Sequence, residues 1–146
     1  MGLVVNRPSG LRLGEFAQSQ GWVCHETLQA RPVFQGGPVE LQRGWILHGN
    51  SEITESQELM SGLFLSAGNS TLEDLLREGK TPFRLLLGYA GWGAGQLEEE
   101  MKEGAWITVQ ARPNYVLDTP PTRTWNQILQ DLGIDPATLA LGTGLH

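Results

Sequence analysis

The sequence lacks most of the chemistry that marks metal, redox and membrane proteins. Its 146 residues include one cysteine, Cys24, which excludes an intramolecular disulfide and any zinc site built from several cysteines. No apolar run approaches the roughly 18 residues that a membrane-spanning helix needs. The single thiol predicts a reduced, cytoplasmic setting, and the sequence gives no reason to expect a metal or a cofactor.

Positive charge is also scarce. Ten lysines and arginines stand against sixteen aspartates and glutamates, which gives a formal net charge of −6 and a pI of about 5.0. Nonspecific binding to nucleic acids or anionic membranes depends on basic surface, so neither is expected as a direct partner. A hydrophobic content of 40% with five tryptophans is typical of a folded chain, and the length suits one domain over residues 1–146.

The most informative stretch runs from Arg84 to Val109 and predicts a strand, a glycine-rich turn, a helix and a second strand. A glycine turn between strand and helix can direct free backbone N–H groups at an anion. However, the glycine spacing matches no phosphate-binding motif, and Glu98, Glu99 and Glu100 at the start of the helix would repel a phosphate. A tight packing turn is therefore the favoured interpretation.

Local patterns predict the remaining elements. In chain order they are a strand at 3–5, a helix at 13–21, strands at 33–34 and 45–47 joined as a hairpin or strand pair, a strand at 62–66, a helix capped by Ser70, a strand at 115–117 and an amphipathic helix at 122–132. Helices alternate with strands along the chain. This alternation predicts an α/β fold, with a mixed β-sheet and flanking short helices in a single compact domain.

Five segments resemble the YqgE/AlgH family of bacterial proteins, in the same order: MGLVVNRP, VFQGGPV, RGWILHG, LGYAGWGAGQLEEE and LDTPPTRTWNQILQDLGID. The resemblance implies an α/β protein of the bacterial cytosol without an established biochemical activity, some of whose relatives are labelled transcriptional regulators. Family members usually have further strand-forming sequence before the first segment. The sheet is therefore expected to lack a strand and to present an exposed edge to another chain.

No complete catalytic constellation is visible, so the sequence favours a non-catalytic module that binds a small molecule or a protein. In such a site an arginine would meet an anionic group, glycine backbone would approach it closely, and a tryptophan would stack on a ring. The residues predicted for these roles are Asn6, Arg7, Gly36, Gly37, Arg43, Gly91, Trp92 and Gly93.

Two alternatives stay open at this point. The first is a small hydrolase or transferase that uses His48 with an acid such as Asp118, although nothing in their spacing brings them together. The second is a transcriptional regulator, as the family label suggests. The best helix, at 122–132, has Arg123 as its one basic residue and follows a double proline, so an indirect effect through a protein partner is favoured over DNA binding. The sequence leaves the oligomeric state open.

Overall fold

A six-stranded mixed sheet forms the centre of the computed structural model, which describes residues 1–140. The strands are β1 (Pro8–Arg12), β2 (Pro32–Gln35), β3 (Val39–His48), β4 (Gln57–Met60), β5 (Leu63–Ser66) and β6 (Phe83–Tyr89). Their spatial order is β1-β2-β6-β3-β5-β4, in which β2 and β6 are parallel and every other neighbouring pair is antiparallel. The prediction of a single α/β domain with a mixed sheet is confirmed.

Short helices flank the sheet, as predicted. They are α1 (Leu13–Gln20), α2 (Asn69–Glu78), α3 (Gln96–Lys102), α4 (Pro113–Leu117), α5 (Thr124–Asp131) and α6 (Pro136–Ala140), and a 3₁₀ turn lies at Glu26–Leu28. Within residues 1–140 no helix has the length and apolar character needed to cross a membrane.

The sheet separates two apolar clusters. On one face, α1 and α2 bury Ala17, Leu75 and Leu76 against Val33 and Leu85 of the sheet. On the other face, the residues before β1 and the residues of α4 pack against a second set, Phe34, Trp45, Leu47, Leu63 and Leu86. Alternate residues of β6 enter the two clusters because successive side chains of a strand point to opposite faces. This central strand therefore holds both halves of the core together.

The predicted hairpin between residues 33–34 and 45–47 is wrong, because β6 lies between β2 and β3. The connection through Gly37 and Pro38 instead carries the chain across the end of β6. Residues 3–5 are also not a strand. They form an extended segment in which the Val4 N–H donates to the Gly36 carbonyl at 2.8 Å, and β1 begins only at Pro8. A proline is tolerated there because β1 is an edge strand.

Two further strand predictions are wrong. Residues 106–109 belong to no strand, and residues 115–117 lie in α4, which has Pro113 in its first turn. Proline suits that position because its fixed φ and missing N–H match the start of a helix. Helix α2 begins after Gly68 rather than at Ser70. β1 and β4 are the two edge strands, and pairing of either edge with another chain stays a prediction.

Candidate functional site

The predicted glycines at the end of β2 serve close backbone packing. An added Cβ at Gly37 would lie 2.1 Å from the carbonyl carbon of Tyr89, and one at Gly36 would lie 2.5 Å from the carbonyl oxygen of Gly88. The Gly36 N–H also donates to the Leu87 carbonyl at 2.8 Å. The connection between β2 and β3 therefore rests directly on the backbone of β6, which leaves no side-chain-sized space between them.

Arg43 lies in a bulge of β3. Val39 is paired with Tyr89 and Gly44 with Leu87, so residues 40–43 loop away from the ladder. The exposed Arg43 guanidinium lies 4.6 Å from the centre of the Trp45 ring and 3.5 Å from a Glu40 carboxylate oxygen. The Arg43 guanidinium therefore already interacts with Glu40 and with the Trp45 ring.

The predicted glycine–tryptophan turn, Gly91 to Gly93, is held through Trp92. The ring of Trp92 covers Gly2, where an added Cβ would approach it to 2.8 Å, and Gly2 forms a two-way backbone bridge with Ala90. The predicted helix after the turn is present as α3. These contacts support the packing interpretation of the turn.

Asn6 and Arg7 lie in the extended segment before β1. The Arg7 carbonyl accepts a hydrogen bond from the Gln35 N–H at 2.8 Å, while the Arg7 side chain is exposed and Asn6 is half-buried. All eight predicted residues thus lie near the end of the sheet where β2 and β6 finish. Ligand binding by this set stays a prediction.

His48 is buried inside a hydrogen-bond network rather than presented to a substrate. The Asn50 N–H donates to its Nδ1 at 3.1 Å, so the neutral ring holds its proton on Nε2, which faces Ser66 Oγ at 2.9 Å and Ser56 Oγ at 3.1 Å. A nitrogen that already carries a proton cannot accept one from either serine. The ring also stacks on Phe64 with 5.7 Å between centroids.

Asp118 lies on the other side of the sheet. His48 is paired with Phe83 in the ladder and shares its face, whereas Asp118 interacts with the charge of Arg84, the next residue along β6. Neighbouring residues of a strand point to opposite faces. His48 and Asp118 therefore do not form the acid–base pair that the hydrolase alternative requires.

The burial of His48 predicts a pH-dependent stability. Burial lowers the pKa of His48 below its ordinary value of 6.5. As the pH falls below 6.5, His48 is therefore protonated in the unfolded chain before it is protonated in the folded chain. Stability from this residue is complete above pH 6.5 and falls as the pH drops below it, by up to about 1.4 kcal/mol per pH unit. Urea unfolding at several pH values between 7 and 5 gives the free energy of unfolding of the wild-type protein and of His48→Gln. The slope of that free energy against pH should be smaller for His48→Gln. Equal slopes for the two proteins would contradict this.

A cleft lies at the opposite end of β6 from the glycine–tryptophan turn, where β2 and β6 begin. Its volume is about 460 Å³, within the range of small-molecule sites. Its walls come from the first residues of β2 and β6, the start of α1, the 3₁₀ turn, the loops before β2 and before β6, and the end of α4 with the residues that follow it. The polar side chains that line it are Thr27, Arg31, Lys80, Thr81, Arg84 and Asp118.

Arg84 is the buried charge of this cleft, with 8% of its surface exposed. Its terminal nitrogens donate to the Val5 carbonyl at 2.9 Å and the Thr119 carbonyl at 2.5 Å, and its guanidinium lies 4.7 Å from the centre of the Phe34 ring. Both hydrogen-bond acceptors are neutral. Burial lowers the pKa of Arg84, and the charge of Asp118 opposes that shift.

Sequence reasoning missed Arg84 as a site residue although a signal was present. Arg84 is a lone charge in the run FRLLLGY, whose other early members are apolar. A charged side chain inside a strand that is covered on both faces is rare and needs compensation. The residue therefore marks a special environment, whereas Arg31 and Lys80 lie in loops and give no such signal.

Comparison with known proteins places the chain in a family. The family model described as AlgH-like matches residues 1–137. A UPF0301 protein of Myxococcus xanthus is 41% identical over 146 residues, which cover 100% of this chain and 81% of that protein. A UPF0301 protein of Bordetella petrii is 40% identical over 151 residues, covering 99% of this chain and 73% of that protein.

The fold agrees with this placement. The solution structure of the AlgH protein from Pseudomonas aeruginosa matches with a TM-score of 0.74 and 34% sequence identity, over 99% of this chain and 78% of that one. The resemblance predicted from the five sequence segments is confirmed, and the chain belongs to the AlgH-like family.

Proposed function

We propose that the chain is a non-catalytic binding protein of the bacterial cytosol whose Arg84 cleft holds a small, multiply charged anion. The buried guanidinium of Arg84 supports this most directly. Within residues 1–140 it forms no ion pair with a carboxylate. A buried charge without an ion-pair partner is costly, and a bound anion offsets that cost.

The charge around the cleft supports the same class of ligand. Arg31, Lys80 and Arg84 stand against the single carboxylate of Asp118, which leaves a formal excess of two positive charges in a protein of net charge −6. The ion pairs among residues 1–140 engage Arg43, Arg77, Lys102 and Arg112 instead. Arg31 and Lys80 are therefore available to a ligand, and guanidinium and ammonium groups both bind phosphate and carboxylate oxygens.

Any regulatory role would then act through the bound ligand or a protein partner. Helix α5 does not follow another helix across a short turn, since residues 118–123 with two prolines separate it from α4. Arg123 precedes its first residue, and Arg112 approaches its last turn, where it pairs with Asp131 at 3.6 Å. A DNA-reading helix needs more basic contacts to phosphates than this.

Inorganic pyrophosphate is a suitable probe because it is small and carries several negative charges. At a concentration 100 times its dissociation constant, it should raise the thermal unfolding midpoint of the wild-type protein by roughly 5–10 °C. The double variant Arg31→Gln, Lys80→Gln should lose most of that rise. Both side chains are exposed, so the unliganded variant should unfold within about 0.5 kcal/mol of wild type.

Arg123→Gln is the matched control, because Arg123 is also exposed and lies outside the cleft. It should keep the full pyrophosphate effect. Anion binding in the cleft would be contradicted if pyrophosphate still raised the thermal unfolding midpoint of the Arg31→Gln, Lys80→Gln double variant. It would also be contradicted if the rise were lost equally in Arg123→Gln.

A further inference from the structure

Two tryptophans and a glutamate form a cluster beyond the end of β6, far along the strand from the Arg84 cleft. The Trp92 and Trp106 rings meet edge to face, with 5.9 Å between centroids and 66° between planes. Both indole N–H groups donate to Glu100 Oε1, at 3.3 Å from Trp92 and 3.0 Å from Trp106. Trp92, Trp106 and Glu100 together form the Trp92–Trp106 cluster.

The cluster is equipped to hold an organic cation. Tryptophan faces attract cations more strongly than other aromatic rings, and a neighbouring carboxylate adds to the attraction. Three arginines of this protein already lie over aromatic rings, namely Arg43 over Trp45, Arg84 over Phe34 and Arg112 over Tyr115. In the part of the chain that the structure describes, no cation lies over Trp92 or Trp106.

The surroundings favour a protein as the source of that cation. Met101, Trp106 and Ile107 each leave more than two-fifths of their surface exposed, and α3 buries none of its residues. Exposed apolar side chains grouped in this way are typical of protein interaction surfaces. The charge is complementary to a basic partner, because Glu98, Glu99, Glu100 and Glu103 outnumber Lys102, which pairs with Glu99.

We infer that the Trp92–Trp106 cluster docks an arginine from a basic, apolar segment of a partner protein. The planar guanidinium stacks on the exposed Trp106 ring and faces the Glu100 carboxylate, while apolar neighbours in the segment cover Met101 and Ile107. This inference does not depend on the anion cleft, which lies at the other end of β6.

A synthetic octapeptide of alternating arginine and leucine tests this surface, with the glutamate–leucine octapeptide as its charge-reversed counterpart. In the two-dimensional NMR spectrum of the full chain, the arginine peptide should shift the indole N–H signals of Trp92 and Trp106. Trp106→Ala should weaken its binding about 5- to 30-fold, as expected for loss of a cation–π contact. Glu100→Gln keeps an oxygen acceptor for the indoles but removes the charge, and should weaken binding several-fold.

Trp125→Ala is the matched control, because Trp125 is similarly exposed, at 54% against 47% for Trp106, and lies on α5. It should bind the arginine peptide as wild type does. Equal binding of the glutamate peptide, equal affinity in Trp106→Ala and Trp125→Ala, or no binding of the arginine peptide by the wild-type chain would each overturn the inference.

Discussion

Replacing Gly37 by alanine is expected to lower the free energy of unfolding by about 3 kcal/mol or more. The added methyl group would lie 2.1 Å from the Tyr89 carbonyl carbon and 2.3 Å from the Ala90 nitrogen. Both are backbone atoms of the chain leaving β6, so neither can rotate away as a side chain would. The clash can be relieved only if the connection between β2 and β3 moves away from β6.

Gly91→Ala is the control for this prediction, since it adds the same methyl group nearby. Its nearest neighbour would be Val39 Cγ2, at an ordinary contact distance of 4.0 Å, and the change should cost less than about 0.5 kcal/mol. Urea unfolding followed by circular dichroism gives both values. Similar stabilities for the two variants would show that Gly37 does not pack as described, whereas failure of Gly37→Ala alone to fold would agree with it.

Replacing Arg84 by methionine is expected to have the second large effect, on both stability and ligand binding. The change removes the hydrogen bonds to the Val5 and Thr119 carbonyls, each worth about 1.5–3 kcal/mol for a charged donor. Relief of the buried charge offsets part of that loss. A net destabilisation of about 2 kcal/mol should remain. Pyrophosphate should no longer raise the thermal unfolding midpoint, and this rise is the pyrophosphate effect.

Arg84→Lys distinguishes the charge from the hydrogen bonds. Lysine keeps a positive charge in the cleft but lacks the planar guanidinium that donates to two carbonyls. It should retain part of the pyrophosphate effect while remaining less stable than wild type. Wild-type stability together with full pyrophosphate binding in Arg84→Met would contradict both roles assigned to Arg84.

Local sequence patterns predicted the elements whose identity depends on local burial. Leu85, Leu86 and Leu87 read correctly as a buried strand, and the helix predicted at 122–132 is present as α5, Thr124–Asp131, with Leu129 buried. Trp106–Val109 has equally strong β-type residues but no partner strand. Its tryptophan packs on Trp92 instead. β-propensity expresses a fit to neighbouring strands and therefore fails where none is available.

Local sequence patterns could not predict the order of the strands or the cleft, because both depend on contacts between segments that are distant in the chain. β6 enters between β2 and β3 although they are consecutive in the chain, and Arg84 meets Val5 and Thr119 across 79 and 35 residues. Asn6 and Arg7 are predicted as ligand residues because ligands often bind at strand ends. That rule applies to the carboxyl ends of parallel strands, whereas the cleft lies where β2 and β6 begin.

Binding of an anion at Arg84 is tested most directly by an NMR titration of the wild-type chain with pyrophosphate, observing arginine Nε–H and lysine Nζ signals. The signals of Arg84, Arg31 and Lys80 should shift together along one saturable curve, while those of Arg123 and the indole of Trp125 stay in place. Saturable shifts elsewhere with an unchanged Arg84 signal, or no saturable shift at any of the three, would contradict the anion cleft.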